Sequence, residues 1–134
     1  MPACVYRTHN ARHPMNKTPP FPVAWITGAS TGIGRELALR LATQGCVVAA
    51  SARSVAVLDS LAVESQSQPG RIVAMPVDVT DIRDVERTYT KIADELGVPD
   101  LCVLNAGTYI PVNAKRLNSR DFDSQFNLNV MGTV

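Results

Sequence analysis

Two hydrophobic rhythms alternate from Val23 onward: short β-branched apolar runs, and longer segments whose apolar positions return every three or four residues. That alternation is the sequence sign of a parallel sheet whose strands are joined by crossover helices. Val23 to Thr27 predicts the first strand. Ile33, Leu37 and Leu41 then mark one helix face, Glu36 and Arg40 can pair across a turn on its outside, and Gly45 ends it. Cys46 to Ser51 predicts the second strand. Val55, Leu58, Leu61 and Ala62 predict a second helix, stopped near Pro69-Gly70, before a strand from Arg71 to Val77. Asp81 is placed to cap a third helix with Ile82, Val85, Tyr89, Ile92 and Leu96 on its apolar side, closed by Gly97 and Pro99. Leu101 to Leu104 predicts a fourth strand and residues 108 to 118 a loop. Ser119 precedes a last helix, with Phe122, Phe126 and Val130 on one stripe and Leu128 and Met131 making another face apolar.

Residues 1 to 22 break this pattern. They hold five of the nine prolines, both histidines, three basic residues and no acid, which predicts a disordered, basic, proline-rich tail. The prolines oppose the amphipathic helix of an organelle transit peptide, and no apolar segment for secretion is present. His9 and His13 stand four apart, yet Pro14 and the lack of a nearby acid or cysteine leave a metal site unsupported. The remaining residues, 23 to 134, carry ten positive and twelve negative charges, too balanced for a nucleic-acid stripe or a polybasic membrane patch. With 134 residues, one domain is expected. Cys4, Cys46 and Cys102 form no CxxC pair and are odd in number, arguing against a disulfide framework and for a reducing, cytoplasmic location.

Candidate chemistry begins where the first strand runs into Thr27-Gly28-Ala29-Ser30-Thr31-Gly32-Ile33-Gly34 and then a helix. A tight strand-to-helix turn needs permissive backbone angles at Gly28. A pyrophosphate approaching a helix N-terminus needs a position without Cβ at Gly32, and close helix packing favours Gly34. A P-loop is excluded, because Ile33 stands where its second glycine is required and no Lys-Ser/Thr follows.

A parallel sheet binds ligands at the carboxyl edge of its strands, and three further features fall there. After the second strand comes Ala52-Arg53, about 20 residues beyond the glycines, where an NAD site offers an acid to the ribose and an NADP site offers an arginine. The acid is absent and the arginine present. After the third strand comes Asp78-Val79. After the fourth comes Asn105-Ala106-Gly107, small enough to let a nucleotide lie across the strand end. Taken singly, Asp78 is equally a turn or cap residue, Arg53 a solvated charge and Asn105-Ala106-Gly107 a loop.

Together these motifs make residues 23 to 134 resemble the short-chain dehydrogenase/reductase family of the TGxxxGxG type: TGASTGIG at 27 to 34, DV at 78 to 79, NAG at 105 to 107 and the Asn of NVMGT at 129 match in order and spacing. The resemblance implies an α/β, Rossmann-like, doubly wound parallel sheet, here its first half with strand order 3-2-1-4 and incomplete. It implies that Ser30, Thr31 and Ile33 join Gly28, Gly32 and Gly34 around the phosphates of NADP. It assigns Asp78 and Val79 to the adenine, and Asn105, Ala106 and Gly107 to the nicotinamide ribose. Asn129 matches the family's catalytic asparagine, whose backbone carbonyl holds a water in a proton relay; a helix-interior Asn with a purely structural bond is the competing reading.

The chain also departs from the family. Family members use a Ser and a Tyr-x-x-x-Lys pair beyond this Asn, and none of Tyr6, Tyr89 and Tyr109 has Lys four residues later. The fourth strand is accordingly expected to keep a bare edge and the last helix two apolar faces. The expected protein is the amino-terminal, cofactor-binding part of an NADP-dependent oxidoreductase for a small carbonyl or alcohol substrate, without nucleic-acid or membrane partners. The full-length protein is expected to be a homodimer or homotetramer. Two other readings are a non-catalytic NADP-sensing or partner-binding module ending near Val134, and a flavin or nucleotide binder of another doubly wound family.

Overall fold

The computed structural model describes residues 18–111, 115 and 118–133. The expected tail, with His9 and His13, lies outside the described residues up to position 17. Its last residues belong to the folded body: Phe21 packs against the core, and the Pro22 carbonyl accepts from Val47 N at 3.0 Å.

Four strands and four helices alternate: β1 Val23–Thr27, α1 Gly32–Thr43, β2 Val47–Ser51, α2 Val55–Glu64, β3 Arg71–Ala74, α3 Ile82–Glu95, β4 Leu101–Leu104 and α4 Ser119–Asn129. The sheet order is β3-β2-β1-β4, with all three neighbouring pairs parallel. This is the doubly wound, Rossmann-like order expected from the motifs. β1 is central and buried at every position. Its alternation divides the core: Ala24 and Ile26 face Ala38 and Leu41 of α1 and Leu58 and Leu61 of α2, whereas Trp25 faces Met75 and Ile92 of α3. Thr27 pairs with Ser51 of β2 and Leu104 of β4, so three strands end in register on the edge where the chain enters α1.

The helix faces differ from the sequence pattern. In α1 the buried residues are Gly34, Ala38, Leu41 and Ala42, and Ile33 is 80% exposed. Small residues let α1 lie close to the sheet; of the expected face, Leu41 is buried and Leu37 packs against the core, and only Ile33 faces solvent. Glu36 and Arg40 do pair on the outside, at 2.8 Å, and Gly45 follows the helix at φ +90°. In α2 Val55 is exposed while Leu58 and Leu61 are fully buried. In α3 Ile92 is fully buried and Val85 and Leu96 partly so, but Ile82 and Tyr89 are exposed and Thr88 is buried instead. Asp81 caps α3 as expected, accepting from Arg83 N at 3.0 Å.

Two strand limits also shift. β2 starts at Val47 because Cys46 N donates to Leu41 at the end of α1, at 3.1 Å. β3 ends at Ala74, although Met75 N and Val77 N still reach the Ala50 and Ala52 carbonyls at 2.9 and 3.2 Å. β4 pairs with β1 alone, leaving its outer edge open among the described residues, and no residue of α4 is buried. No helix among the described residues is long and apolar enough to cross a membrane.

Leu58 is enclosed between α2 and the sheet, whereas Val63 of the same helix faces solvent. Leu58→Ala is expected to destabilise the chain by about 2–5 kcal/mol through lost transfer energy and a residual cavity. Val63→Ala should stay within about 0.5 kcal/mol. Urea-unfolding midpoints of the two variants check the contrast.

Candidate nucleotide-binding site

At the carboxyl edge of the sheet the chain must leave β1, turn, and start α1 within five residues, and two glycines make this possible. Gly28 has φ +67°, and a Cβ there would meet Ala106 Cα at 2.7 Å. A Cβ at Gly34 would meet the Gly28 carbonyl oxygen and Asn105 Nδ2, both at 2.5 Å. The turn and the end of β4 thus touch backbone to backbone. Asn105 Nδ2 donates to the Gly28 and Thr27 carbonyls at 3.1 and 3.3 Å, and Thr27 Oγ1 accepts from Asn105 N and Ala106 N at 3.1 and 3.2 Å. At Gly32 the surroundings differ: an added Cβ would meet nothing within 4 Å. The first turn of α1 carries no acid, so its free N–H groups and the positive end of the helix dipole lack a side-chain counter-charge there.

Beside this turn lies a cleft of about 230 Å³ lined by Gly28, Ser30, Ser51, Ala52, Arg53, Ser54, Val77, Asp78, Val79, Ala106, Gly107 and Leu128. Seven of the residues singled out in the sequence therefore converge: Gly28, Ser30, Arg53, Asp78, Val79, Ala106 and Gly107. Arg53 is exposed at the cleft and makes no ion pair among the described residues. Asp78 accepts from the Thr80 hydroxyl at 2.7 Å and from Thr80 N at 3.0 Å. Those two bonds hold its carboxyl below the ordinary range, with the charge of Arg53 acting in the same direction. Asp78 N in turn donates to Asp84 Oδ2 at 2.8 Å, which fixes the loop to the start of α3.

The other candidates sit elsewhere. Thr31 precedes α1 without a side-chain capping bond, and Gly32 and Ile33 border an open groove along α1 with Leu37. Gly34 and Asn105 lie behind the glycine turn and shape it. Asn129 closes α4 and makes a reciprocal pair with Thr108: its Oδ1 accepts from Thr108 N at 2.7 Å and its Nδ2 donates to Thr108 O at 2.8 Å. The Asn129 carbonyl accepts from Thr133 Oγ1 at 3.0 Å.

Sequence reasoning missed several positions, Ser54 and Val77 of the cleft lining among them. Thr27 ends β1 with a hydroxyl that binds two backbone amides, and its signal was a Thr immediately before the glycine turn. Ser51 and Leu128 line the cleft without any local motif. Gly132 lets the turn after α4 approach Val79, where a Cβ would stand 2.9 Å from Val79 Cγ2. Its signal was the glycine of NVMGT.

A model of the short chain dehydrogenase family matches residues 22–134. A 3-oxoacyl-acyl-carrier-protein reductase of Thermotoga maritima is 34% identical over 110 residues, covering 82% of this chain and 45% of the relative. An NADPH-dependent pterin aldehyde reductase of Arabidopsis thaliana is 40% identical over 111 residues, covering 81% and 45%. Among solved structures, an alcohol dehydrogenase from the archaeon Thermococcus sibiricus, complexed with 5-hydroxy-NADP, superposes with a TM-score of 0.77 at 35% identity, over 82% of this chain and 47% of that one. The chain belongs to the short-chain dehydrogenase family. It spans just under half the length of these relatives.

The glycines make separable contributions. Gly34→Ala forces the Asn105 amide and the Gly28 carbonyl apart and is expected to disorder the turn, whereas Gly32→Ala carries only the cost of a left-handed backbone, about 1–2 kcal/mol. Amide exchange at Asn105 and Ala106 should rise sharply in the first variant and little in the second.

Proposed function

We propose that this chain forms the cofactor-binding part of an NADP-dependent oxidoreductase that moves hydride between nicotinamide and a carbonyl or alcohol substrate. The observation that carries the NADP preference is Arg53 beside the cleft, without an ion-pair partner among the described residues, next to the uncharged Ala52. An arginine there meets a 2′-phosphate, whereas an acid would repel it. The names of an NADPH-dependent relative and an NADP-complexed neighbour agree with this choice. The residues fit the cofactor's phosphates: the acid-free N-terminus of α1 offers backbone donors, and Gly32 presents open space where a side chain would intrude. Asp78 and Val79 would hold the adenine, and Ala106 and Gly107 the nicotinamide side. When bound, the nicotinamide supplies or accepts the hydride.

Proton transfer at the substrate oxygen needs a group of suitable pKa within hydrogen-bond reach. By resemblance that group is a tyrosine paired with a lysine. Tyr89 lies on α3 beside Trp25, with ring centroids 6.2 Å apart, and neither it nor Tyr109 is followed by such a lysine. The resemblance gives Asn129 a supporting place in the relay, through its carbonyl. The exposed Phe122, Phe126 and Met131 of the α4 region support association with a further protein surface.

Cofactor choice is tested by calorimetry. The chain is expected to bind NADP more tightly than NAD by about 10- to 100-fold, the equivalent of a charge-assisted hydrogen bond. Ala52→Asp combined with Arg53→Ala should reverse the order, and equal affinities in the unmodified chain would refute the assignment. In a second test, NADPH absorbance is followed with a panel of ketones and aldehydes. No turnover above a Gly28→Asp control is expected from these 134 residues, because general acid–base assistance of about 10²–10⁴-fold is missing. Turnover above the control would reveal a proton donor other than the tyrosine pair.

A further inference from the structure

The floor of the cleft is a buried polar junction. Ser51 ends β2 and has no exposed surface, yet its carbonyl and hydroxyl engage three other parts of the chain. The carbonyl accepts from Ala29 N in the glycine turn at 3.0 Å. The hydroxyl accepts from Trp25 Nε1 of β1 at 2.9 Å and donates to the Met75 carbonyl, just past β3, at 2.5 Å. The direction of this relay is fixed by chemistry. An indole N–H only donates, so Ser51 must accept from it, and the single hydroxyl proton then goes to a carbonyl.

The junction lies directly below the residues that line the cleft. Arg53 follows Ser51 by two positions and Asp78 follows Met75 by three, and between them Val77 N reaches the Ala52 carbonyl at 3.2 Å. Removing the Ser51 hydroxyl would leave two buried polar groups, the Trp25 N–H and the Met75 carbonyl, with no partner. Relief of that penalty must come from movement of the strand ends, because the central strand beneath is packed on both faces.

We propose that Ser51 is a positioning residue for the adenosine-phosphate end of the cofactor. The Trp25–Ser51–Met75 chain sets the spacing between the ends of β2 and β3, and thereby where Arg53 and Asp78 stand. The proposal rests on the dinucleotide reading of the cleft.

The test uses the whole 134-residue chain and two probes, 2′,5′-ADP and 5′-ADP, titrated by calorimetry on protein whose fold is verified by amide spectra. In Ser51→Ala, the preference for 2′,5′-ADP over 5′-ADP is expected to fall by about threefold to tenfold, the loss associated with one hydrogen bond. A merely structural role lowers stability but leaves this ratio unchanged. Trp25→Phe keeps a packed ring and removes only the donor, so it should lower the ratio in the same direction even where Ser51→Ala does not fold. The double variant should lose no more than Ser51→Ala, since both act on one chain of bonds. Wild type that prefers 2′,5′-ADP, with the same ratio in the folded variants, overturns the inference alone. Wild type that binds neither nucleotide overturns the cofactor reading and the inference with it.

Discussion

Everything at the carboxyl edge depends on a backbone contact that excludes side chains. The turn after β1 and the strand end after β4 approach so closely that neither Gly28 nor Gly34 has room for a Cβ. The Asn105 amide then hydrogen-bonds the carbonyls on both sides of the turn's first peptide. Once this contact is made, α1 can leave the sheet in only one direction, with its N-terminus beside the cleft. The apolar core under α1 follows the same constraint. Ala38 and Ala42 are small because the helix is drawn down onto the sheet.

Parallel strands convert that contact into a site. Because β1, β2 and β4 end in register, the residues following each strand meet on one edge although they are some 25 to 80 positions apart in the chain. The edge is electrostatically mixed. Arg53 stays free of ion pairs among the described residues, while Asp78 is occupied by Thr80 and Asp84 by the Asp78 amide and Arg87. The carboxylates are tied into the loop that carries them, and Arg53 is left as the uncompensated charge at the cleft among the described residues.

The four strands were legible to within a few residues because short β-branched apolar runs carry a local physical signal, whereas their order came from the family resemblance. The helix faces were less so. Ile33 looked like core by its chemistry, but it stands where α1 leaves the turn and faces solvent, whereas Gly34 beside it packs against the Gly28 carbonyl and Asn105 with no room for a Cβ. Candidate-site residues were legible where they lie on the strand ends, as with Arg53, Asp78 and Gly107. Asn105 was recognised by motif, yet its side chain binds the chain and not the cleft, a distinction only the fold makes. Ser51 had no signal at all, because its partners, Trp25 and Met75, are 26 and 24 residues away.

The two ends of the proposed chemistry differ in how firmly they are held. Gly28 and Arg53 follow β1 and β2, the two strands in the middle of the sheet. Asn129, which the resemblance assigns to proton handling, stands on α4, a helix with no buried residue. That helix is held to the loop after β4 by polar clamps: Asn129 with Thr108, and Gln125, which accepts from Ile110 N at 3.1 Å and donates to Ile110 O at 3.3 Å. Exposed hydrogen bonds of this kind contribute about 0.5–1.5 kcal/mol each, so α4 can detach at far lower cost than any strand can leave the sheet. Placement of Asn129 therefore rests on these polar bonds, whereas the geometry around Gly28 and Arg53 is carried by the sheet itself. In this chain the proposed nucleotide contacts and the proposed aid to proton transfer rest on separate physical supports, the first apolar and central, the second polar and peripheral.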